Sequence, residues 1–203
     1  AHHLALNHLS LPNYQLNHLK KNNKKVIVIG HAIISTDCYI ADVLGSMPSD
    51  LRSNSDWELF QEDLKHSDLV VIGRASYEKF SENKRNRLIP TNQINGYNMQ
   101  DDLCFFNPND ISMSQILLKY IPFPNKIAVA GGQGVYQLVF DQFAYSEFHL
   151  SVKENYELKE GIQMIKGITG LAQVDKYMNK YGMYLNDRVR LDSDTIQLRY
   201  LQS

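Results

Sequence analysis

Short runs of branched apolar residues recur along the chain, and each run is bounded by polar residues or glycine. Four of them lie at residues 26–29, 69–72, 103–106 and 127–130. Runs of this length and composition are typical of strands that are buried on both faces of a sheet. Between the runs, apolar residues recur at helical spacing, as in 57–64 and 116–120. The alternation predicts an α/β fold with a mixed sheet flanked by helices.

The pattern changes in the last third of the chain. Residues 147–152 and 195–201 alternate between apolar and polar side chains, as a half-buried strand does. Because the strand at 195–201 follows the strand–helix units, we predict that it joins the sheet in the antiparallel direction. Residues 81–102 are polar and are interrupted by Pro90 and Asn95-Gly96. They predict a surface excursion that could serve as a lid.

A helix is predicted from Trp57 to about His66, with Ser55 or Asp56 as its N-cap. Asp56 precedes Phe60 by one helical turn, so the carboxylate and the ring share a face of this helix.

The segment 126–138 predicts a strand, a glycine turn and a helix. Gly131, Gly132 and Gly134 follow the strand directly. Glycine lets a ligand approach the backbone closely, and the first turn of a helix offers unpaired N–H groups that suit a phosphate. Gln137 stands where the third glycine of the dinucleotide fingerprint would fall, and the P-loop lysine is absent. A turn that uses glycine only for tight geometry explains the pattern equally well.

Two further positions are candidates for ligand binding. Gly73, Arg74 and Ser76 follow the strand at 69–72 and form a second strand–glycine–helix unit, here with a cation and a hydroxyl suited to an anion. Asp37 follows the first strand, at the carboxyl edge where open α/β sheets bind ligands. The alternative is that Asp37 only stabilises its own turn.

Composition narrows the choice of function. The 203 residues are 43% hydrophobic with a net charge of −1, which gives no reason to expect nucleic acid or an anionic membrane as a partner. Cys38 and Cys104 are far apart, so we expect no zinc site, no disulfide and a reducing, cytoplasmic location. The histidines before residue 20 lack accompanying ligands for a metal. We predict an arm at 1–25 and one domain at 26–203.

Four segments, taken together, carry a resemblance to a known family. They are residues 32–37, 68–78, 130–136 and 194–200. In order, they resemble the first strand and turn, the Gly-Arg-x-Thr-Tyr/Trp-Glu unit, the double-glycine cofactor turn and the closing Leu-Arg-Tyr strand of dihydrofolate reductase-like proteins. The branch they resemble most is the reductase domain of riboflavin biosynthesis with its stand-alone relatives. The resemblance implies a three-layer α/β/α fold with a mostly parallel sheet and an antiparallel C-terminal strand.

The resemblance also implies a reaction. The family transfers a hydride from a nicotinamide cofactor, usually NADPH, to a small heterocyclic or carbonyl substrate, and the riboflavin branch commonly forms homodimers. Asp56 and Phe60 match the carboxylate and phenylalanine with which dihydrofolate reductase holds its pterin, so Asp56 is expected to assist proton delivery, directly or beside a water. Asp37 is the second catalytic candidate. The cofactor-binding positions implied are Ala32, Gly73, Arg74, Ser76, Gly131, Gly132, Gln133, Gly134 and Val135.

The chain departs from the family at several positions. Cys38 replaces the glycine of the first turn, and residues 105–108 offer no cation where the family reads the 2′-phosphate, so NADH stays open beside NADPH. The zinc deaminase motif of the riboflavin enzyme is absent, which predicts a stand-alone reductase. A catalytically silent nucleotide-binding or dimeric interaction module on the same fold is the alternative. Dihydrofolate reductase activity itself is a third reading, against which the lack of a Pro-Trp pair near the first loop counts.

Overall fold

A computed structural model describes residues 25–79 and 85–203. The predicted arm, apart from Lys25, lies outside these residues. The strands are β1 Ile27–Ser35, β2 Tyr39–Ala41, β3 Leu69–Val71, β4 Arg87–Pro90, β5 Tyr97–Gln100, β6 Leu103–Phe106, β7 Lys126–Val129, β8 Glu147–Lys153, β9 Ile162–Gln163, β10 Met183–Arg190 and β11 Thr195–Gln202. The helices are α1 Asn54–Lys65, α2 Arg74–Lys79, α3 Met113–Tyr120, α4 Gln133–Gln142 and α5 Leu171–Lys180, with a short 3-10 turn at Ser49–Leu51. Within the described ranges, no helix is long and apolar enough to cross a membrane.

Nine strands form one sheet in the order β10-β11-β8-β1-β7-β3-β4-β6-β5. The central strands from β8 to β6 run parallel to one another. β11 is antiparallel to β8, and β5 is antiparallel to β6. The predicted mixed, mostly parallel sheet with an antiparallel C-terminal strand is therefore confirmed. β2 and β9 form a separate two-stranded sheet.

Helices cover both faces of the large sheet. On one face, α3, α4 and α5 contribute Ile116, Val139 and Val174 to a core that includes Val28 and Val129 of the central strands. On the other face, Leu64 of α1 packs in a smaller apolar cluster of alternate sheet residues, namely Val70 and Ala128, with Phe60 beside them. The arrangement is three layers, α/β/α, as predicted.

The surface excursion predicted for 81–102 is wrong in its central part. Residues 87–90 form β4, which lies inside the sheet between β3 and β6. The sequence pattern did not predict β4 because only two of its four residues are apolar, with Arg87 at its start and Pro90 at its end. Arg87 is 6% exposed, and its charge is accommodated 5.2 Å from the Tyr77 ring centre and 3.5 Å from the Asp102 carboxylate.

The predicted start of the first helix is also wrong. α1 begins at Asn54, and its N-cap is Ser53, whose Oγ accepts a hydrogen bond from the Asp56 amide at 3.2 Å. Ser53 also donates to the Asp192 carboxylate at 2.7 Å, which ties this helix start to the loop between β10 and β11. Asp56 is therefore the third helical residue and points its carboxylate at the sheet from the first turn.

Gly30 offers a test of the packing on β1. A Cβ at this position would lie 2.4 Å from the Phe148 ring and 2.8 Å from the Tyr145 ring, both of which are buried. Because aromatic rings inside a packed core cannot retreat without moving their neighbours, we expect Gly30→Ala to lower the free energy of unfolding by about 3 kcal/mol. Urea unfolding measures the difference. Gly170→Ala is the control, since no atom lies within 4 Å of its added Cβ, and an equal effect in both variants would contradict the packing account.

Candidate active site

We expect a ligand-binding crevice at the carboxyl edge of the sheet, between β3 and β7, because the chain connections diverge there. The two strands are neighbours, but the chain leaves them towards opposite faces. α4 follows β7 into the main core, where Val135 and Tyr136 are buried. α2 follows β3 to the other face, where Tyr77 packs edge-on against Phe105 at 5.5 Å. Open α/β sheets bind their ligands at such a divergence of connections.

The two glycine turns meet at this crevice. The Gly73 amide donates to the Gly131 carbonyl oxygen at 2.7 Å, and a Cβ on Gly73 would lie 3.3 Å from the Gly132 nitrogen. Gly131 has a φ of +88°, and a Cβ there would lie 2.6 Å from the Tyr136 hydroxyl oxygen. That hydroxyl donates to the His31 carbonyl oxygen at 2.5 Å. Tight geometry therefore explains why Gly131 is glycine.

An added Cβ would not clash with the protein at Gly132 or at Gly134. A Cβ on Gly132 would meet only the Ile40 Cδ1 at 3.7 Å, which is an ordinary contact. A Cβ on Gly134 would meet nothing within 4 Å. Gly132 is the N-cap of α4 and supplies no capping side chain, so it does not cap the Gln133 and Gly134 amides at the start of the helix. The open space in front of these amides has the character of an anion-binding site.

The other residues of this turn have structural partners. Gln133 donates from Nε2 to the Gln163 carbonyl oxygen at 3.0 Å, which attaches β9 to the turn. The Val135 side chain is buried, and its amide donates to the Gly132 carbonyl oxygen at 3.1 Å. Of these two predicted cofactor contacts, only Gln133 has an exposed part that a ligand could reach.

Arg74 and Ser76 lie in the first turn of α2, across the crevice from α4. Arg74 donates from Nη1 to the Gln93 Oε1 at 2.7 Å and lies 3.4 Å from a Glu78 carboxylate oxygen. Gln93 belongs to the segment 91–93 that follows β4, a segment that sequence reasoning missed together with the strand. The sequence carried a signal, because the polar residues Thr91, Asn92 and Gln93 follow Leu88-Ile89-Pro90 directly.

Ala32 lies where β1 loses one neighbour. Pairing of β1 with β7 ends at Gly30 and Val129, whereas pairing with β8 continues to Ser35 and Lys153. The β7 side of Ala32 is therefore open towards the crevice, while its side chain is buried in the core. A ligand on this side could therefore reach only backbone groups of Ala32, and the cofactor-binding role of Ala32 stays a prediction.

Asp56 approaches β1 and β8 from α1. Its Oδ1 accepts a hydrogen bond from the hydroxyl of Ser151, which pairs with Ile33 of β1, one residue beyond Ala32. Burial raises the pKa of the Asp56 carboxyl, against the hydrogen bond from Ser151 and the charge of His31. The raised pKa means that this carboxyl keeps its proton to a higher pH than an exposed aspartate does, as a proton donor requires.

A polar network extends from Asp56 over this face of the sheet. Ser151 accepts from Gln197 Nε2 at 3.4 Å, and Gln197 in turn accepts from Arg199 Nε at 2.9 Å. Sequence reasoning missed these residues. They occupy alternate positions of β8 and β11, so the period of two marks them, but only the strand register brings them to Asp56.

A second polar cluster lies further down the same face, beneath α1. His31 Nε2 is 2.5 Å from an Asp63 carboxylate oxygen, and Lys126 also bonds to this carboxylate. Burial would raise the pKa of Asp63, but the hydrogen bonds and charges of His31 and Lys126 outweigh it and lower the pKa to about 2. The His149 ring lies edge-on to the His31 ring, with the ring centres 5.3 Å apart. Burial and the charge of His31 lower the pKa of His149, although the neighbouring Glu147 carboxylate acts to raise it.

Asp37 has a structural role in the described chain. One of its oxygens accepts from the Ser35 hydroxyl at 2.6 Å, and the carboxylate also accepts from the amides of Leu158 and Lys159 at 3.1 and 2.8 Å. Although burial opposes it, these hydrogen bonds lower the pKa of Asp37. The carboxylate thus joins the first turn to the loop before β9, a distant partner that the local alternative did not predict, and its catalytic role stays a prediction. Among the described residues no group of three or more acidic, histidine or cysteine side chains could hold a metal ion.

Comparisons with known proteins address the fold. No protein-family model and no curated sequence matches the chain. A candidate riboflavin biosynthesis protein from Shewanella sp. PV-4 matches with a TM-score of 0.61 and 14% identity, over 88% of this chain and 99% of that one. Dihydrofolate reductase from Enterococcus faecalis, complexed with NADP(H), matches with a TM-score of 0.61 and 16% identity, over 87% and 96%.

A third structure is the Thermotoga maritima diaminohydroxyphosphoribosylaminopyrimidine deaminase/5-amino-6-(5-phosphoribosylamino)uracil reductase. It matches with a TM-score of 0.63 and 11% identity. The match covers 88% of this chain but only 57% of the bifunctional one. At these identities the likeness shows the fold alone. The chain therefore has the dihydrofolate reductase-like fold, which it shares with reductases of riboflavin biosynthesis and with dihydrofolate reductase.

Proposed function

We propose that this chain is a nicotinamide-dependent reductase that binds NADPH in the crevice between β3 and β7. The observation that carries the proposal is the pair of glycines, Gly132 and Gly134, that packing does not require and that front the open first turn of α4. Glycine at such positions leaves room for a phosphate against the helix amides. In a silent module the crevice would be filled by Tyr97, by Phe106 or by the N-terminal arm. Tyr97 and Phe106 lie elsewhere, on the exposed edge strand and in the main core, and the arm lies outside the described residues.

The residues divide the work of binding. The first-turn amides of α4 would hold the pyrophosphate, and the backbone of Ala32 would hold the nicotinamide amide beside β1. Arg74, with its guanidinium 43% exposed, would carry a positive charge to the adenosine end. Bound there, the cofactor supplies a hydride, and the protein supplies orientation and electrostatics.

Asp56 would act on the substrate side of β1. Its raised pKa lets the carboxyl keep a proton at a pH where an exposed aspartate has lost it. The carboxyl would hold or deliver the proton that a small heterocycle or carbonyl compound requires when it accepts a hydride. Phe60, one turn further along α1, lies on the same side of the helix, and its ring centre is 5.2 Å from that of His31 with the two rings tilted by 51°.

The proposal is tested by calorimetric titration of the purified chain with NADPH and, separately, with NADH. We expect a dissociation constant in the range of about 1–10 μM for NADPH, which corresponds to roughly −7 to −8 kcal/mol. Absence of heat with both nucleotides at about 1 mM would reject the reductase proposal and favour the silent module.

Arg74 is expected to decide between the two cofactors. Arg74→Gln removes the positive charge that would meet a 2′-phosphate while it keeps hydrogen-bonding capacity towards Gln93. We expect the NADPH affinity to fall about tenfold, since a charge-assisted hydrogen bond contributes about 1.5–3 kcal/mol, while the NADH affinity changes less than twofold. Arg188→Gln on β10, at the far edge of the sheet, is the control. Equal losses for both nucleotides would show that Arg74 does not read the 2′-phosphate.

A further inference from the structure

Strand β5 forms one edge of the large sheet and is unprotected there. All four of its residues, Tyr97 to Gln100, are exposed, and no strand in the described part of the chain pairs with its outer side. The strand contains no charge and no proline. Natural edge strands usually carry one of these or a bulge, because an open edge is a template for pairing with another chain.

The peptide groups that face outward can be assigned from the ladder. The Asn107 amide donates to the Gly96 carbonyl oxygen at 2.8 Å, so these residues form a hydrogen-bonded pair with β6 on the inner side. Antiparallel ladders alternate, which directs the peptide groups of Asn98 and Gln100 inward and those of Tyr97 and Met99 outward. Tyr97 and Met99 therefore offer their N–H and C=O groups to a partner strand.

The same two residues carry an apolar surface. Their side chains share one face of the sheet, and each is 41% exposed. Leu118 of α3 is 44% exposed. Leu118 and Tyr97 line a shallow pocket of about 530 Å³ together with Lys119, whose Nζ is 5.8 Å from the Tyr97 ring centre. An open edge next to exposed apolar side chains is the combination that strand-addition partners use.

We propose that the partner is a second copy of this chain, which pairs its β5 antiparallel to the first. With a two-fold axis at Asn98, the outward peptide groups of Tyr97 and Met99 in one strand face those of the second copy. This register forms about four backbone hydrogen bonds. It places Tyr97 of each copy opposite the partner's Met99, a pairing of an aromatic ring with a thioether that is itself favourable. Asn98 faces the partner's Asn98 without a charge at the axis.

Charge at the two ends of β5 supports a second copy over an unrelated strand. Lys119 lies beside the start of the strand, whereas exposed Asp101 follows its end. Antiparallel pairing brings the start of each copy next to the end of the other, so Lys119 approaches the partner's Asp101 at both ends. Because a two-fold contact closes on itself, the product is a dimer and not a filament. This inference does not depend on the reductase proposal.

The oligomeric state is measured by size-exclusion chromatography with light scattering, from about 1 to 100 μM protein, as befits a small interface. We expect the mass to rise with concentration from the 23.4 kDa of one chain towards twice that value. Asn98→Lys places two like charges about 5 Å apart at the axis and should keep the chain monomeric throughout. Met99→Pro removes an outward N–H without touching the β6 ladder and should weaken the dimer at least tenfold.

Tyr184→Lys is the matched control, because Tyr184 is an exposed aromatic residue on β10, the opposite edge of the same sheet. This variant should form the dimer as the parent chain does. A parent chain that stays monomeric at about 100 μM, or an Asn98→Lys variant that dimerises normally, overturns the proposal. So does a dimer that Asn98→Lys leaves intact but that deletion of residues 1–24 abolishes, since the contacts would then belong to the N-terminal segment.

Discussion

Asp56→Asn is expected to lower kcat/KM about 100-fold or more, because a positioned proton donor contributes about 10²–10⁴ in rate. Asparagine keeps the shape and can still accept the Ser151 hydroxyl, so the hydrogen bond to β8 survives. The parent enzyme should lose kcat/KM as pH rises through the raised pKa of Asp56, since the proton is then lost. In the variant this dependence should disappear. Steady-state rates from pH 5 to 9 measure both effects once a substrate is known, and an unchanged pH profile would remove Asp56 from the mechanism.

Stability gives a second readout for the same variant. A carboxyl whose pKa is raised on folding stabilises the folded state only while protonated, and this contribution is lost as pH rises from the unfolded pKa through the folded one. At pH 7, which is above the unfolded pKa, the buried Asp56 carboxyl therefore costs stability relative to a neutral side chain. Asp56→Asn should unfold at a higher temperature than the parent chain at this pH while it turns over more slowly. Functional sites commonly show this opposition between stability and activity.

Asp63, on the same helix, is the matched control with the opposite sign. Its pKa of about 2, down from 3.8, contributes about 2 kcal/mol of stability that is present above the unfolded pKa and is lost as pH falls towards 2. Asp63→Asn should therefore destabilise the chain at pH 7 without changing the pH profile of turnover. Equal losses of stability in both variants would show that the buried Asp56 carboxyl does not destabilise the folded chain at pH 7.

The parts of the fold that the sequence predicted are those with a local signature. Four-residue apolar runs identified the central strands β1, β3, β6 and β7, because a strand buried on both faces tolerates little else. β4 was missed although it is equally central, since Arg87 and Pro90 occupy two of its four positions. β10 was missed for the opposite reason: most of Met183–Arg190 is exposed, so no apolar alternation marks it.

The candidate site divides in the same way. The glycine turns and the Asp56-x-x-x-Phe60 spacing are contained within a few residues, and each was identified. The segment 91–93 was not predicted because β4, which precedes it, was not predicted. The resemblance places the cation that reads the 2′-phosphate after β6 instead. In the polar network, Ser151 lies 46 or more positions from Gln197 and Arg199, which are two positions apart on β11. Only the register of the sheet brings the three residues together.

Gly134→Leu is expected to abolish NADPH binding while it makes the chain more stable. Cβ atoms in a helix tilt towards its N-terminus, so the leucine would project from the first turn of α4 into the space assigned to the pyrophosphate. No protein atom lies within 4 Å of that Cβ, and leucine is a better helix residue than glycine by about 0.5–1 kcal/mol. We expect the affinity to fall at least about 100-fold by calorimetry, a loss of about 2.7 kcal/mol, with a higher midpoint of urea unfolding.

Gly170→Leu is the matched control for this experiment. Gly170 also stands at the start of a helix, α5, with no atom within 4 Å of an added Cβ, and it belongs to neither of the two glycine turns. As an N-cap it should lose a few tenths of a kcal/mol in stability and keep its full affinity for NADPH. The two variants thus move stability and affinity in opposite combinations, which general damage to the fold cannot do. Unchanged affinity in Gly134→Leu would mean that the glycines of this turn serve a purpose other than the cofactor, and the reductase proposal would lose the observation on which it rests.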